Sequence, residues 1–433
     1  MKRQIHRREF IEQILSAYSF LGLRSLLLGV SPAFLTSRLM ANEGDRKFLI
    51  FSSEAQGSPL NCNVPGTYGN NGLQHPGDAS MSASNFSLGN AQVRAASPWA
   101  NLPLELRNQL HFIHNRTEVN AHNEFRDVLY GLGRVKNEGG SGSEMIASVV
   151  AQENAASLGT IMDRPFVLDS ELDYKGSRIR KVSPDLFQSL FGAQGTQAAN
   201  QMMKFRDQAL DSLYADIKEK GTHAQKDFLE DAIKSRQEAR ALSEKLSEVL
   251  GNLPNNEDEA AVLVAAVVCF SGAAPVVNLK LSFGGDNHGD SNLADETSQT
   301  VRGTQHLAQL HTYLSDFGIT DKVVFALQNT FGRTLRLNPK GGRDHNNLHN
   351  VTLLFGANVK PGVSGGIEVI QDERGARAAP FNSDTGRVSN NGDITPATSL
   401  VSSIKTIYKA CGLPAETIEK RVQGGKIIKN AVS

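Results

Sequence analysis

The chain has no excess of either charge: 45 Lys and Arg stand against 45 Asp and Glu in 433 residues, a formal net charge of zero. No local run of Lys or Arg upsets that balance, which excludes a nucleic-acid binder driven by phosphate neutralisation. Cysteine is scarce, and Cys62, Cys269 and Cys411 lie far apart without CxxC spacing. A cysteine-built zinc cluster is therefore excluded, and at most one disulfide could form. Cys269 sits in an apolar helical run and reads as a core residue. Beyond the N-terminal region no apolar run reaches the roughly 20 residues of a transmembrane helix. Internal repeats are also lacking.

The N-terminus is where charge and apolarity do concentrate. Basic residues, including the pair Arg7-Arg8, precede a largely apolar stretch from Ile14 to Leu39 that Arg24 and Arg38 interrupt. A basic region ahead of an apolar one is an export pattern, and its twin-arginine form carries folded proteins across the inner membrane. Residues 1–42 are thus expected to be a twin-arginine signal, cleaved or kept as an anchor. The expected partner is the twin-arginine export machinery, and the location the periplasm or cell envelope. Contact with a membrane is expected through this segment alone.

Residues 43–433 read as one α/β domain. Strands are expected at 47–52, 166–168, 276–283, 322–327 and 351–355, from short apolar runs closed by small or polar residues. Helices are expected at 258–269, 297–317 and 396–411. Asp258 and Glu259 at the start of the first complement its dipole. Residues 54–100, rich in Gly, Asn, Ser and Pro, read as a long loop, and 104–132 as short elements carrying His111, His114 and His122. Apolar residues recur at helical spacing between 196 and 252, which predicts a helical insertion. Strands alternating with helices predict a mostly parallel central sheet flanked by helices.

Ligands collect at the carboxyl ends of such strands. The strand at 276–283 runs into Gly284-Gly285-Asp286-Asn287-His288, where a carboxylate and an imidazole two residues apart point the same way. That is half of a divalent-metal site suited to Zn²⁺ or Mn²⁺. Gly341-Gly342-Arg343-Asp344-His345 arrives at the same edge just before the strand at 351. The guanidinium of Arg343 is suited to the oxygens of a phosphate or sulfate. His349 reads as facing the following loop.

GGDNHGD, then TFGRTLRLN, then GGRDHN, in that order and spacing, resemble the GGxDTHG, EFGRTPxxN and GRDHW motifs of the DUF1501 family. The resemblance implies an alkaline-phosphatase-like core, related to sulfatases, with one or two divalent metal ions. It implies Asp286, His288, Asp344 and His345 as metal ligands, with catalytic roles for Arg333, Arg343 and His122. The chain also departs from the family. Thr330 stands where the family has Glu, Gln56 replaces an expected Asp with Glu54 two residues away, and Ala121-His122 matches a Ser-His pair. Two functions follow as expectations. One is a metal-dependent hydrolase of small anionic phosphate or sulfate esters. The other is an exported binding or assembly protein, with a protein partner, that keeps the fold without the catalysis.

Changing Arg7 and Arg8 to Lys is expected to leave the precursor in the cytoplasm, as read by fractionation and immunoblotting. Normal export of the double variant rejects the twin-arginine route.

Overall fold

A computed structural model describes residues 46–70, 72–160, 162–169, 172–186, 222, 249 and 252–433. The expected signal and nearly all of the expected helical insertion lie outside these residues.

Seven strands form the main sheet: β1 (Phe48–Ser52), β2 (Leu110–Asn115), β3 (Phe166–Val167), β4 (Val276–Leu279), β5 (Val323–Leu327), β6 (Asn350–Gly356) and β7 (Gly362–Ser364). Their spatial order is β7-β2-β6-β5-β1-β4-β3. β1 pairs in parallel with β4 and β5, β4 with β3, and β2 with β7. β6 lies between β2 and β5 and runs antiparallel to both. The sheet is thus mixed, with β6 as its one reversed strand.

Both faces are covered, which is why β1 reads as an unbroken apolar run rather than an alternating one. Phe48 and Ile50 point to a core shared with helices α2 (Glu257–Ser271) and α3 (Ala294–Asp316). Leu49 and Phe51 point to the opposite core, shared with α1 (Ile146–Leu158) and α4 (Pro396–Ala410). α2 begins at Asn256, whose side chain accepts from the N–H groups of Asp258 and Glu259, and stops at Gly272, which takes the left-handed conformation with φ 63°. All three cysteines are free and buried. Among the described residues no helix is long and apolar enough to cross a membrane.

The structure corrects three expectations. β4 ends at Leu279, four residues before the predicted end. Residues 54–100 include a hairpin, Ala83–Leu88 with Ala91–Ala96. β2 is a fully buried strand where only short elements were expected. His111, His114 and Asn115 hid it, because buried polar residues broke the apolar pattern.

Those histidines survive burial because each ring is satisfied. His111 bonds the Lys360 carbonyl (2.7 Å) and Ser364 Oγ (2.8 Å). His114 Nε2 lies 2.9 Å from the Pro65 carbonyl, an obligate acceptor, so that nitrogen carries the proton. His114 Nδ1 must then accept from His349 Nε2 (2.9 Å), and His349 Nδ1 from Asn61 Nδ2 (3.1 Å). The Asn61–His349–His114–Pro65 chain is therefore directional and built from neutral rings. His349 belongs to this buried relay and does not face a loop.

Desolvation pulls His111 and His114 down to about 4 and His349 well below its ordinary value. The unfolded chain takes up these protons near pH 6.5, so the stability they allow is complete above that value and is lost as pH falls toward 4. Urea midpoints should fall steadily between pH 7 and pH 5, by about 1.4 kcal/mol of stability per histidine per pH unit once below 6.5. A flat midpoint over that range rules out neutral buried rings.

Candidate metal centre

The carboxyl ends of β1, β2, β4 and β5 share one edge of the sheet, and the reversed β6 starts there. Four loops therefore meet at this edge, since the one after β5 is the one that enters β6. Asp286 and His288 arrive on the loop after β4, and His122 on a short turn after β2. His345 lies on a two-residue ribbon in which Gly332 pairs with Asn346 and Arg333 with His345. The glycines are steric requirements here. A Cβ on Gly332 would lie 2.2 Å from the His349 carbonyl, and one on Gly342 would lie 2.3 Å from the Asn287 carbonyl.

One potential ligand atom from each of His122, Asp286, His288 and His345 falls within 4.8 Å of the others. The ring nitrogens facing away from this point are all engaged. His122 Nδ1 bonds the Ala55 carbonyl (2.9 Å), and His345 Nδ1 the Asn120 carbonyl (2.7 Å). His288 Nδ1 bonds Asp344 Oδ1 at 2.6 Å. Two of these partners are carbonyls and the third is a carboxylate, so each Nδ1 is the donor and each Nε2 keeps its lone pair. Such a tie-back is the usual support of a metal-binding histidine.

The Nε2 atoms of His288 and His345 lie 2.9 Å apart. Two lone pairs at that distance repel unless a proton or a cation sits between them. Nitrogens bound to one tetrahedral ion at 2.0–2.1 Å are about 3.3 Å apart, so a small shift admits the ion. Desolvation also pulls His345 below the ordinary imidazole value, which favours the neutral ring that a metal requires. The residues present fit one divalent ion held by three nitrogens and one oxygen.

The remaining predicted residues take other places. Asp344 is behind His288 and outside the ligand group; its Oδ1 also accepts from Asn338 Nδ2 (2.9 Å). Desolvation pushes its carboxyl up, but the bonds from Asn338 and His288 outweigh this and hold it below the usual range. Arg333 is fully buried, and its Nη2 donates to the carbonyls of Gln56 (2.7 Å) and Gly285 (2.7 Å) and reaches Asp286 Oδ1 at 3.4 Å. It ties two loops together and shares the charge of a candidate ligand. Arg343 is corrected from anion contact to structural clamp. It is fully buried against Glu296, with Nη1 donating to the Thr334 carbonyl (2.8 Å) and Nη2 to the Gln74 carbonyl (2.6 Å).

His122, expected to be catalytic, stands among the candidate ligands. Asn338 was missed, although it closes the TFGRTLRLN motif. The Ala55 and Asn120 carbonyls have no side-chain signature and could not have been found from sequence.

Residues 194–379 match the family model DUF1501, described as a protein of unknown function. The match takes in Asp286, His288, Arg333 and Arg343 to His345 and stops short of His122. No curated protein matches the chain. One solved structure, described as "Crystal structure of Ps i-CgsB", is 10% identical and covers 88% of this chain and 75% of its own, with a TM-score of 0.32. A likeness that low carries no argument.

His288→Ala should abolish high-affinity Zn²⁺ binding in calorimetry, whereas Asp344→Ala should weaken it about 10- to 100-fold. A loss in Asp344→Ala as complete as in His288→Ala would make Asp344 a ligand. Unchanged affinity would deny it an orienting role.

Proposed function

We propose that this chain is an exported, metal-dependent hydrolase of small phosphate or sulfate esters, built on an alkaline-phosphatase-like core. The observation that carries this reading is the convergence of three Nε2 lone pairs and one carboxylate at the carboxyl edge of the sheet. The donors include only one anion, Asp286, and its charge is shared with Arg333. A divalent ion held there keeps a net positive charge, which favours an anionic ligand. Zn²⁺ or Mn²⁺ suits the nitrogen-rich set.

Bound, such an ion supplies Lewis-acid polarisation of an ester oxygen and activation of water at neutral pH. The chain's own residues do the rest. His122 also lines a cavity of about 380 Å³ with Ser53, Glu54, Arg126 and Lys280, which gives an ester room beside the donors. The three tie-backs fix the rings before any ligand arrives, so little reorganisation is needed during reaction. Water is the nucleophile in this reading. Ala121 has no hydroxyl, and the buried Thr330 donates its own to the Glu54 carbonyl at 2.8 Å.

The same observation about Thr330 favours a second reading, in which the centre binds an anionic partner without turnover. The twin-arginine signal suits both readings, because a protein folded before export can acquire its ion first.

Protein loaded with Mn²⁺ or Zn²⁺ should hydrolyse p-nitrophenyl phosphate or p-nitrophenyl sulfate, with at least about a 100-fold drop in kcat/KM in His345→Ala, a loss of several kcal/mol in transition-state stabilisation. A folded, fully loaded protein that turns over neither ester supports the binding reading instead.

A further inference from the structure

Glu54 is the outstanding group that the proposed chemistry does not use. It follows β1, is 3% exposed, and its carboxylate oxygens have no hydrogen-bond partner beyond the Lys280 ammonium. Its backing is backbone: a Cβ on Gly284 would lie 1.7 Å from Oε1. Among the described residues its ion-pair partner is Lys280, whose Nζ is 3.0 Å from Oε2, and burial still pushes the carboxyl up. Beside it, Ser53 Oγ is also buried without a partner. Ser53, Glu54, Asp169 and Lys280 line the same cavity as His122. Lys280 and Asp169 are also shared with an adjoining cavity of about 500 Å³.

A buried carboxylate needs a cation. Burial works against the ammonium of Lys280, yet the attraction of Glu54 outweighs it and holds the group charged. Asp169 is also ion-paired with Lys181, so without the Lys280 ammonium the Ser53 hydroxyl and the Glu54 carboxylate would face this space uncompensated, with Asp169 lining it as well. These are hard oxygen donors of the kind that hold Mg²⁺, Mn²⁺ or Ca²⁺.

We propose that Lys280 is a tethered cation standing in for a divalent ion, and that Ser53, Glu54 and Asp169 form a latent oxygen site which its ammonium keeps closed. The chain then carries one exchangeable ion, at the histidine cluster, and one permanent cation beside it. The proposal rests on the metal-centre reading only for the identity of that first ion. Lys280 also gives an anionic ligand in the cavity a second positive contact.

The test counts Mn²⁺ per full-length chain by equilibrium dialysis in wild type, Lys280→Ala, and Lys280→Ala with Glu54→Gln, each with and without His288→Ala. Lys280→Ala should bind one more ion than its parent in both backgrounds, and Glu54→Gln should remove that gain. Folded Lys280→Ala that gains no ion, or a gain that survives Glu54→Gln, overturns the proposal. Loss of the first ion in His288→Ala is scored separately, so the centre and the latent site fail independently. If Lys280→Ala does not fold, Lys280→Met keeps the aliphatic stem. Recovery of its solubility and a higher melting temperature in millimolar Mn²⁺ support the latent site, and no recovery rejects it.

Discussion

The edge of this sheet is organised around one buried ion pair, Arg343 with Glu296. Neither side chain is exposed. Glu296 comes from the first turn of α3, which packs on the sheet, while Arg343 sits in the loop that delivers His345. Glu296 also accepts from Asn63 Nδ2 at 3.0 Å, and the Arg343 N–H reaches the Asn287 carbonyl at 2.9 Å. Through these bonds the loops before β6 and after β4 are fastened to each other and to the start of α3. Removing one partner of such a pair costs about 3–5 kcal/mol, because the other charge is left buried. The geometry of His288 and His345 depends on it, although neither residue of the pair touches a candidate ligand.

A division of labour follows among the charged groups around the centre. Three carboxylates near it each have a cation or a ring N–H assigned to them: Asp286 has Arg333, Asp344 has His288, and Glu54 has Lys280. None of these three is left as a loose negative charge that would repel an incoming anion. The two arginines that look like substrate contacts in the sequence are spent on backbone carbonyls, on Asp286 and on the buried Glu296 instead. A guanidinium offers five donors in a fixed fork, so holding loops together is as natural a use as gripping an anion.

Much of the fold was legible because β1 and β5 are continuous apolar runs, β4 is one broken only by Asn278, α2 is a long apolar segment with acidic residues at its start, and α3 carries clear periodicity. The loops bearing Asp286, His288 and His345 were legible too, as glycine-rich turns following strands. What could not be read was everything settled by distant pairing. β2 looks polar until β6, β7 and the Pro65 loop supply partners for His111, His114 and Asn115. Asp344 and His345 are neighbours in sequence, yet the ribbon turns one behind His288 and the other toward it. Arg343 carries no local sign that Glu296, 47 residues earlier, will bury it.

The reversed strand β6 has a consequence in time. It is held between β5, close to it in sequence, and β2, whose Asn115 bonds Thr352 of β6 across 237 residues of chain. Contacts so remote form slowly, because a long loop must close before they stabilise anything. β1 lies between β4 and β5, so Asp286, His288 and His345 are gathered only when this N-terminal strand has paired with both. His122 arrives only when β2 docks against β6. The candidate centre is therefore closed by the same long-range pairings that complete the sheet, and is not assembled from one local stretch beforehand.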